Sequence, residues 1–270
     1  MFQAVGERYE LERGRILGHG AFAIVFRGRD KQSGQLVAVK QINIKNTGGK
    51  LSVGKKEIDI LKKLKNPNIV QLHEVVEEKN FVFLVMEYCN GGDLGDYLQA
   101  RTTLSEDSIR HFGNHIANGL QALCTLNIIH RDLKPQNLLL SFDPRLRAPP
   151  IQEIMVKIAD FGFARHLNRD DMAATLCGSP LYMAPEVLLG HRYDSLADLW
   201  SVGTVLYQCL TGEPPYKASN PSALRKKYLK DDLVPVIPAY ASHSLRNLLL
   251  RLLKKNPKER IVFTLSLIHI

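Results

Sequence analysis

The chain is poor in the residues that mark special environments, and each shortage excludes something. Its 4 cysteines, Cys89, Cys124, Cys177 and Cys209, lie far apart in 270 residues. They have neither the paired spacing of a zinc site nor the density of a secreted disulfide framework, so a reducing, cytoplasmic setting is expected. Long apolar runs are also missing. None reaches the roughly 18–20 residues a membrane span needs, and the opening stretch MFQAVGERYELERG has no apolar signal core, so no direct membrane insertion is expected. Concentrated charge is the third absence. The net charge of +9 admits an anionic partner, but the basic residues are dispersed as KKEIDILKKLK, RLR and LRKKYLKDD among apolar positions at helical spacing. No basic stripe with aromatic platforms forms, so most of these charges decorate solvated helix faces and no nucleic-acid partner is expected. What remains, 45% hydrophobic and 23% charged residues, is the composition of an ordinary globular protein with ample core material.

A chain of this length allows one large domain or two lobes with separate cores, and its pattern favours two. FAIVFRGRD and LVAVKQINI alternate around the polar turn KQSGQ and read as a hairpin. The period then changes: Ile58, Leu61 and Leu64, with charges between them, make GKKEIDILKKLK an amphipathic helix stopped by NPN. IVQLHEVVEE and FVFLVMEY return to strand chemistry. Beyond CNGGD the segments LGDYLQA, SEDSIRHFGNHIANGLQALCTLN, DLWSVGTVLYQCLTG and HSLRNLLLRLLKKN carry apolar residues on a 3.6-residue period. The expected class is α+β: a small β-rich lobe of about 9–88 with one main helix, a hinge over 87–93 with Gly91 and Gly92 at its centre, and a larger helical lobe of about 94–270. Asp93 is placed to cap the first helix of that lobe. No internal repeat is present.

The chemistry-bearing stretches are individually weak. GHGAFAIV, Gly18 to Val25, is either a phosphate-cradling glycine loop without its third glycine or a plain turn. HRDLKPQN, His130 to Asn137, is too rich in turn and charged residues to continue the helix before it and reads as an exposed loop, in which Asp132 and Asn137 could be ordinary turn caps. VKIADFG is an apolar strand that ends in Asp160, Phe161 and Gly162. Their order is what carries weight: a glycine loop between strands, VAVK with Lys40, Glu57 on a helix, HRDLKPQN, DFG and APE.

That succession resembles the protein kinase catalytic domain over nearly the whole chain, 1–270. The resemblance implies a bilobal kinase fold, with ATP and Mg2+ as cofactors and a pseudokinase-like nucleotide-binding scaffold as the alternative. It implies that the loop from Gly18 through His19, Gly20, Ala21, Phe22, Ala23 and Ile24 to Val25 lies over the phosphates, with Ala23 where the third glycine would fall. Lys40 would bind the α- and β-phosphates and pair with Glu57. Asp132 would accept or orient the substrate hydroxyl proton, Lys134 would stabilise the transferring phosphate, and Asn137 and Asp160 would hold Mg2+. Met86, Glu87 and Cys89, with Asp93 behind them, would meet the adenine edge, between apolar walls from Leu17, Val25, Ala38 and Leu139.

DLKPQN and GSPLYMAPE resemble serine/threonine rather than tyrosine kinases, which implies protein substrates phosphorylated on Ser or Thr. Thr175 occupies the activation-loop position, with Arg131 and Arg165 as receivers of a phosphate there. GHGAFA, MEYCNGGDL, KIADFGFAR and AATLCGSPLYMAPEV further resemble the autophagy-initiating, Unc-51-like kinases. That implies partners among autophagy-complex proteins and recruitment to membranes of forming autophagosomes. SFDPRLRAPPIQEIM is a long basic insertion of the kind that family carries. After NPKER, where Arg260 is expected to pair with Glu186, the ending IVFTLSLIHI departs from the family pattern and reads as a truncated or altered terminus.

Overall fold

In the computed structural model, residues 1–20, 23–43, 52–78, 80–166, 179–230 and 232–262 are described, with 52–56 and 165–166 described as backbone only. The chain divides after Asn90 into two compact units.

Among its described residues, the first unit, Met1–Asn90, is an antiparallel sheet with one helix. Its strands β1 (Phe2–Val5), β2 (Tyr9–His19), β3 (Ala23–Asp30), β4 (Leu36–Asn43), β5 (Leu72–Glu78) and β6 (Phe81–Glu87) are ordered β1-β2-β3-β4-β6-β5. The sheet begins earlier than the sequence reading placed it. β1 is too short to show an alternation, but Gly6 at φ +56° turns it back so that Val5 opposes Tyr9, and both are buried. The KQSGQ hairpin forms as the alternation predicts, closed by Asp30 N–H donating to Gln35 O at 2.9 Å.

Strand alternation sorts this sheet into two faces. Tyr9, Leu11, Phe26, Val37, Val39, Phe83 and Val85 form a buried cluster on one of them. The intervening residues Val25, Ala38, Lys40 and Met86 take the other, since Val25 opposes Lys40 and Ala38 opposes Met86. Helix α1 (Ser52–Lys63) buries Ile58 and Leu61, with Leu64 just beyond its end.

The second unit, Gly91–Ile270, is mainly helical. Helices α2 (Leu94–Arg101), α3 (Glu106–Thr125), α4 (Pro185–Leu188), α5 (Leu196–Thr211), α6 (Pro221–Leu229) and α7 (His243–Leu252) accompany two small antiparallel pairs. These are β8 (Leu138–Ser141) with β9 (Met155–Ile158), and β7 (Ile128–Ile129) with β10 (Arg165–His166). Ser105 caps α3, and the helix buries Ile109, Phe112, Ile116, Leu120 and Leu123, a stripe at i, i+3 and i+4 spacing. Asp93 caps α2 as expected, accepting from Asp96 N–H at 3.0 Å. Helix α5 is apolar nearly all round and correspondingly buried. Beside it, Trp200 stacks on Tyr216 at 5.8 Å and meets Tyr228 edge-on at 5.7 Å.

Gly91 and Gly92 are tied down within this unit. Gly91 N–H donates to Leu140 O at 2.8 Å, and Leu140 N–H donates to Gly92 O at 2.9 Å. A Cβ on Gly91 would lie 2.8 Å from that of Leu140, so a close approach accounts for this glycine. The expected pair of Arg260 with Glu186 is present and bidentate, at 2.7 and 3.0 Å. No described helix is long and apolar enough to cross a membrane.

Candidate active site

The candidate residues fall into two groups, one in each unit. In the first unit, Lys40 on β4 donates from Nζ to Glu57 Oε1 of α1 at 2.7 Å, and both side chains are largely buried. The helix period that buries Ile58 and Leu61 also turns Glu57 inward. A buried ammonium of this kind requires a charged partner, because desolvation would otherwise favour its neutral form.

The glycine turn joins β2 to β3, with Gly18 opposite Val25, His19 opposite Ile24, and Gly20 N–H donating to Ala23 O at 2.8 Å. Among the described residues, a Cβ on Gly18 would meet nothing within 4 Å. On Gly20 it would meet only Ala23, at 3.6 Å or beyond, and neither glycine has positive φ. Packing against the described residues therefore does not call for glycine at either position. Ala23 already belongs to β3, buried and opposite Ile42 with ordinary φ, so the freedom a third glycine would add has no use there.

Of the adenine-site candidates, Val25, Ala38 and Met86 share the Lys40 face. Leu17 is exposed, and Glu87 and Cys89 are half-buried. Ile24 differs: its side chain packs against the Phe26 cluster on the opposite face, so only its backbone belongs to the turn. Ala21, Phe22 and Thr175 lie outside the described residues, as does the side chain of Arg165.

In the second unit the HRDLKPQN segment is held from below. Asp198, buried in the first turn of α5, accepts from His130 N–H at 2.8 Å and from Arg131 N–H at 2.9 Å. Burial pushes its carboxyl upward, and the two N–H donors pull in the opposite direction. These bonds hold Arg131 at φ +71°, a conformation costing an L-residue on the order of 1–3 kcal/mol. His130 donates from Nε2 to Ala159 O at 3.0 Å and packs edge-on against Phe161 at 5.1 Å, joining the loop to the DFG segment. Arg131 donates to Phe163 O at 2.9 Å and to Tyr193 Oη at 2.8 Å, a second tie to the same segment.

Asp132 is the hub. Its Oδ2 accepts from Lys134 Nζ at 2.8 Å and from Asn137 Nδ2 at 3.0 Å, while Oδ1 accepts from Ser179 N–H at 3.4 Å. Asn137 Nδ2 also donates to Asp132 O at 2.7 Å. With its amide nitrogen fixed this way, the Asn137 carbonyl oxygen is turned elsewhere. Pairing of β8 with β9 sets Leu138 opposite Ile158 and brings Ala159 N–H onto Asn137 O at 2.9 Å, so Asn137 and Asp160 leave the two strand ends side by side. Asp160 is exposed at φ +59°. A carboxylate and an amide oxygen carried on adjoining strand ends are hard-oxygen donors of the kind Mg2+ prefers. Leu139 points away from the buried Leu138 and Leu140, and the Asp93 carboxylate is occupied in capping α2.

Sequence comparison gives the family. Residues 11–269 match the protein kinase domain family. The chain belongs to that family. It is 56% identical to the serine/threonine-protein kinase ULK1 of Homo sapiens over 95% of its own length and 24% of that protein. It is 53% identical to the serine/threonine-protein kinase unc-51 of Caenorhabditis elegans over 94% of its length and 30% of that protein. With ATG1b of Arabidopsis thaliana, also a serine/threonine-protein kinase, identity is 42% over 93% of the chain and 35% of the relative. The chain thus spans between about a quarter and a third of these relatives.

Sequence reasoning missed the support beneath the kinase loop. Asp198 had a usable signal, a lone acid in the otherwise apolar LADLWSVGTVLYQCL, whereas Tyr193 had none.

Proposed function

We propose that this chain is an ATP- and Mg2+-dependent protein kinase that transfers the γ-phosphoryl group to Ser or Thr hydroxyls of proteins, as part of a protein that initiates autophagy. The observation that carries the activity is the Asp132, Lys134 and Asn137 constellation beside Asp160. Turn capping does not call for a carboxylate that receives an ammonium, a side-chain amide and a backbone N–H together.

Phosphoryl transfer leaves a protein chiefly the tasks of positioning and charge stabilisation. Asp132 Oδ orients the substrate hydroxyl and receives its proton as the hydroxyl oxygen bonds to the γ-phosphorus and the bond to the β–γ bridging oxygen breaks, releasing ADP. Lys134, held on Asp132, offsets charge on the moving phosphoryl oxygens. Lys40, fixed by Glu57, binds the α- and β-phosphates, and the open backbone at Gly18 and Gly20 admits the phosphate chain. Asn137 and Asp160 would hold Mg2+, which would supply neutralising charge to the phosphates. Val25, Ala38, Met86 and Leu139 flank the purine, with Glu87 and Cys89 contributing backbone groups. Phosphorylated Thr175 is received by Arg131. The role in autophagy, at forming autophagosome membranes and with the proteins assembled there, rests on similarity to the Unc-51-like kinases.

The test is phosphate incorporation into a generic Ser/Thr protein substrate by the chain and by Asp132→Asn, Lys40→Ala and Asp160→Ala. Transfer by the parent chain alone, with the parent fold kept in each variant, is expected. Equal transfer by any variant would remove the role assigned to that residue. A silent parent chain whose melting temperature still rises with ATP would favour a nucleotide-binding scaffold.

A further inference from the structure

A groove in the first unit lies at the β5 edge of the sheet, on the face that carries Lys40 but at the opposite side of the sheet from the glycine turn. It runs between the end of α1 and the start of β5 and is lined by Leu61, Leu64, Leu72, Val75, Lys62 and Lys65, with His73, Gln71 and Glu74 at its margin. Its volume is about 160 Å3. Pockets for cofactors and drug-sized molecules run to roughly 300–1,000 Å3, so this space suits one apolar side chain rather than a nucleotide. The floor is firm, since Leu61 and Leu64 are buried, while Leu72 and Val75 are half-buried and form the wall.

The margin selects the charge of the occupant. Lys62 and Lys65 are both exposed on the rim. Glu74, also exposed, is the one acid among the lining residues, against the two lysines. Gln71 donates its side-chain amide to Asn66 O at 3.1 Å and Ile69 O at 2.8 Å. The groove therefore presents an apolar slot whose lining carries two ammonium groups against one carboxylate, a net positive charge.

We infer that this groove docks an acidic peptide segment of a partner protein, with one large apolar or aromatic side chain in the slot and flanking carboxylates on Lys62 and Lys65. The inference goes beyond the proposed phosphoryl transfer, because binding is read directly and does not depend on catalysis.

The test uses the fluorescein-labelled peptide acetyl-Asp-Glu-Phe-Leu-Asp-Glu-amide in an anisotropy titration against the full chain. Saturable binding that weakens as salt is raised is expected. Replacing the peptide Phe by Ala should weaken binding at least about tenfold, from the loss of a buried aromatic anchor. Lys62→Glu with Lys65→Glu should weaken it by about fivefold or more. Should that double variant unfold at a lower urea concentration than the parent, the single Lys65→Gln, at an exposed position, replaces it, and a loss of about twofold is expected. No saturable binding at about 1 mM peptide, equal binding of the Ala peptide, or equal binding by the charge variants would each overturn the inference.

Discussion

Asp198→Asn isolates the support beneath the catalytic segment from the segment itself. In the parent chain, the two carboxylate oxygens accept from His130 and Arg131 N–H at 2.8 and 2.9 Å. Hydrogen bonds to a charged acceptor are worth about 1.5–3 kcal/mol each. The amide keeps one accepting oxygen and sets an NH2 against the other backbone donor, so one such bond is lost and a donor is left facing a donor. The expected loss is about 2–3 kcal/mol, well within the roughly 5–15 kcal/mol that holds a typical domain together. The chain should therefore still fold. The function should suffer more, because the same bonds hold Arg131 at φ +71°. If that residue relaxes, Asp132 moves with it, and geometry lost at the reacting centre lowers kcat more than KM for ATP. The assay pairs urea unfolding, read at its midpoint, with steady-state kinetics of phosphate transfer. A variant with parental midpoint and parental kcat would refute the reasoning. A variant with a lowered midpoint and unchanged kcat would leave Asp198 a stability role alone.

Two further outcomes follow from the structure. His115 is held down to about 4, first by burial, then by His111 and Lys157, and it accepts from Val156 N–H at 3.3 Å. The unfolded chain therefore binds this proton more readily than the folded one, and stability falls as pH drops from about 6.5 towards about 4. Because the ring is only half-buried, the loss is on the order of 1–2 kcal/mol. The drop in urea midpoint between about pH 7 and about pH 5 should be smaller in His115→Gln, and equal drops would exclude this residue as its source. For Ala23→Gly, whose strand φ needs no glycine, a slightly lower melting temperature, equivalent to about 0.5–1 kcal/mol, with unchanged KM for ATP is expected. A lowered KM would show that the loop uses the freedom gained.

The legible parts of this fold were those with long periodicity or a fixed motif order. α3 announces itself through twenty residues of apolar stripe and a serine cap, and Lys40 through its place in VAVK. Short elements did not announce themselves. β1 and β8, at 4 residues each, form because neighbouring strands present a ladder to them, a tertiary cause that local sequence does not carry. The strain at Arg131 is equally silent, since its cause is a carboxylate 67 positions away. Strand alternation, by contrast, is local: it places the Ile24 side chain on the face opposite Val25 and Lys40 and leaves its backbone in the loop.

The glycines separate what the fold requires from what it leaves over. A Cβ on Gly28 would stand 2.6 Å from Glu10 O, and one on Gly91 would stand 2.8 Å from Leu140 Cβ, so the packing of each unit explains both. Among the described residues, a Cβ at Gly18 would have open space around it and one at Gly20 only ordinary contact with Ala23, and neither residue has positive φ. A β-branched residue at either position would suit a strand end better. Among the described residues the packing supplies no reason for these two glycines, as it supplies none for Gly14, and the proposed nucleotide-binding role would give one: a ligand that comes closer to the backbone than a side chain would allow. Phosphate oxygens bonded by backbone N–H groups would meet that description, and Lys40, on the same face as Val25 and adjoining this turn through the pairing of β3 with β4, would supply the matching charge.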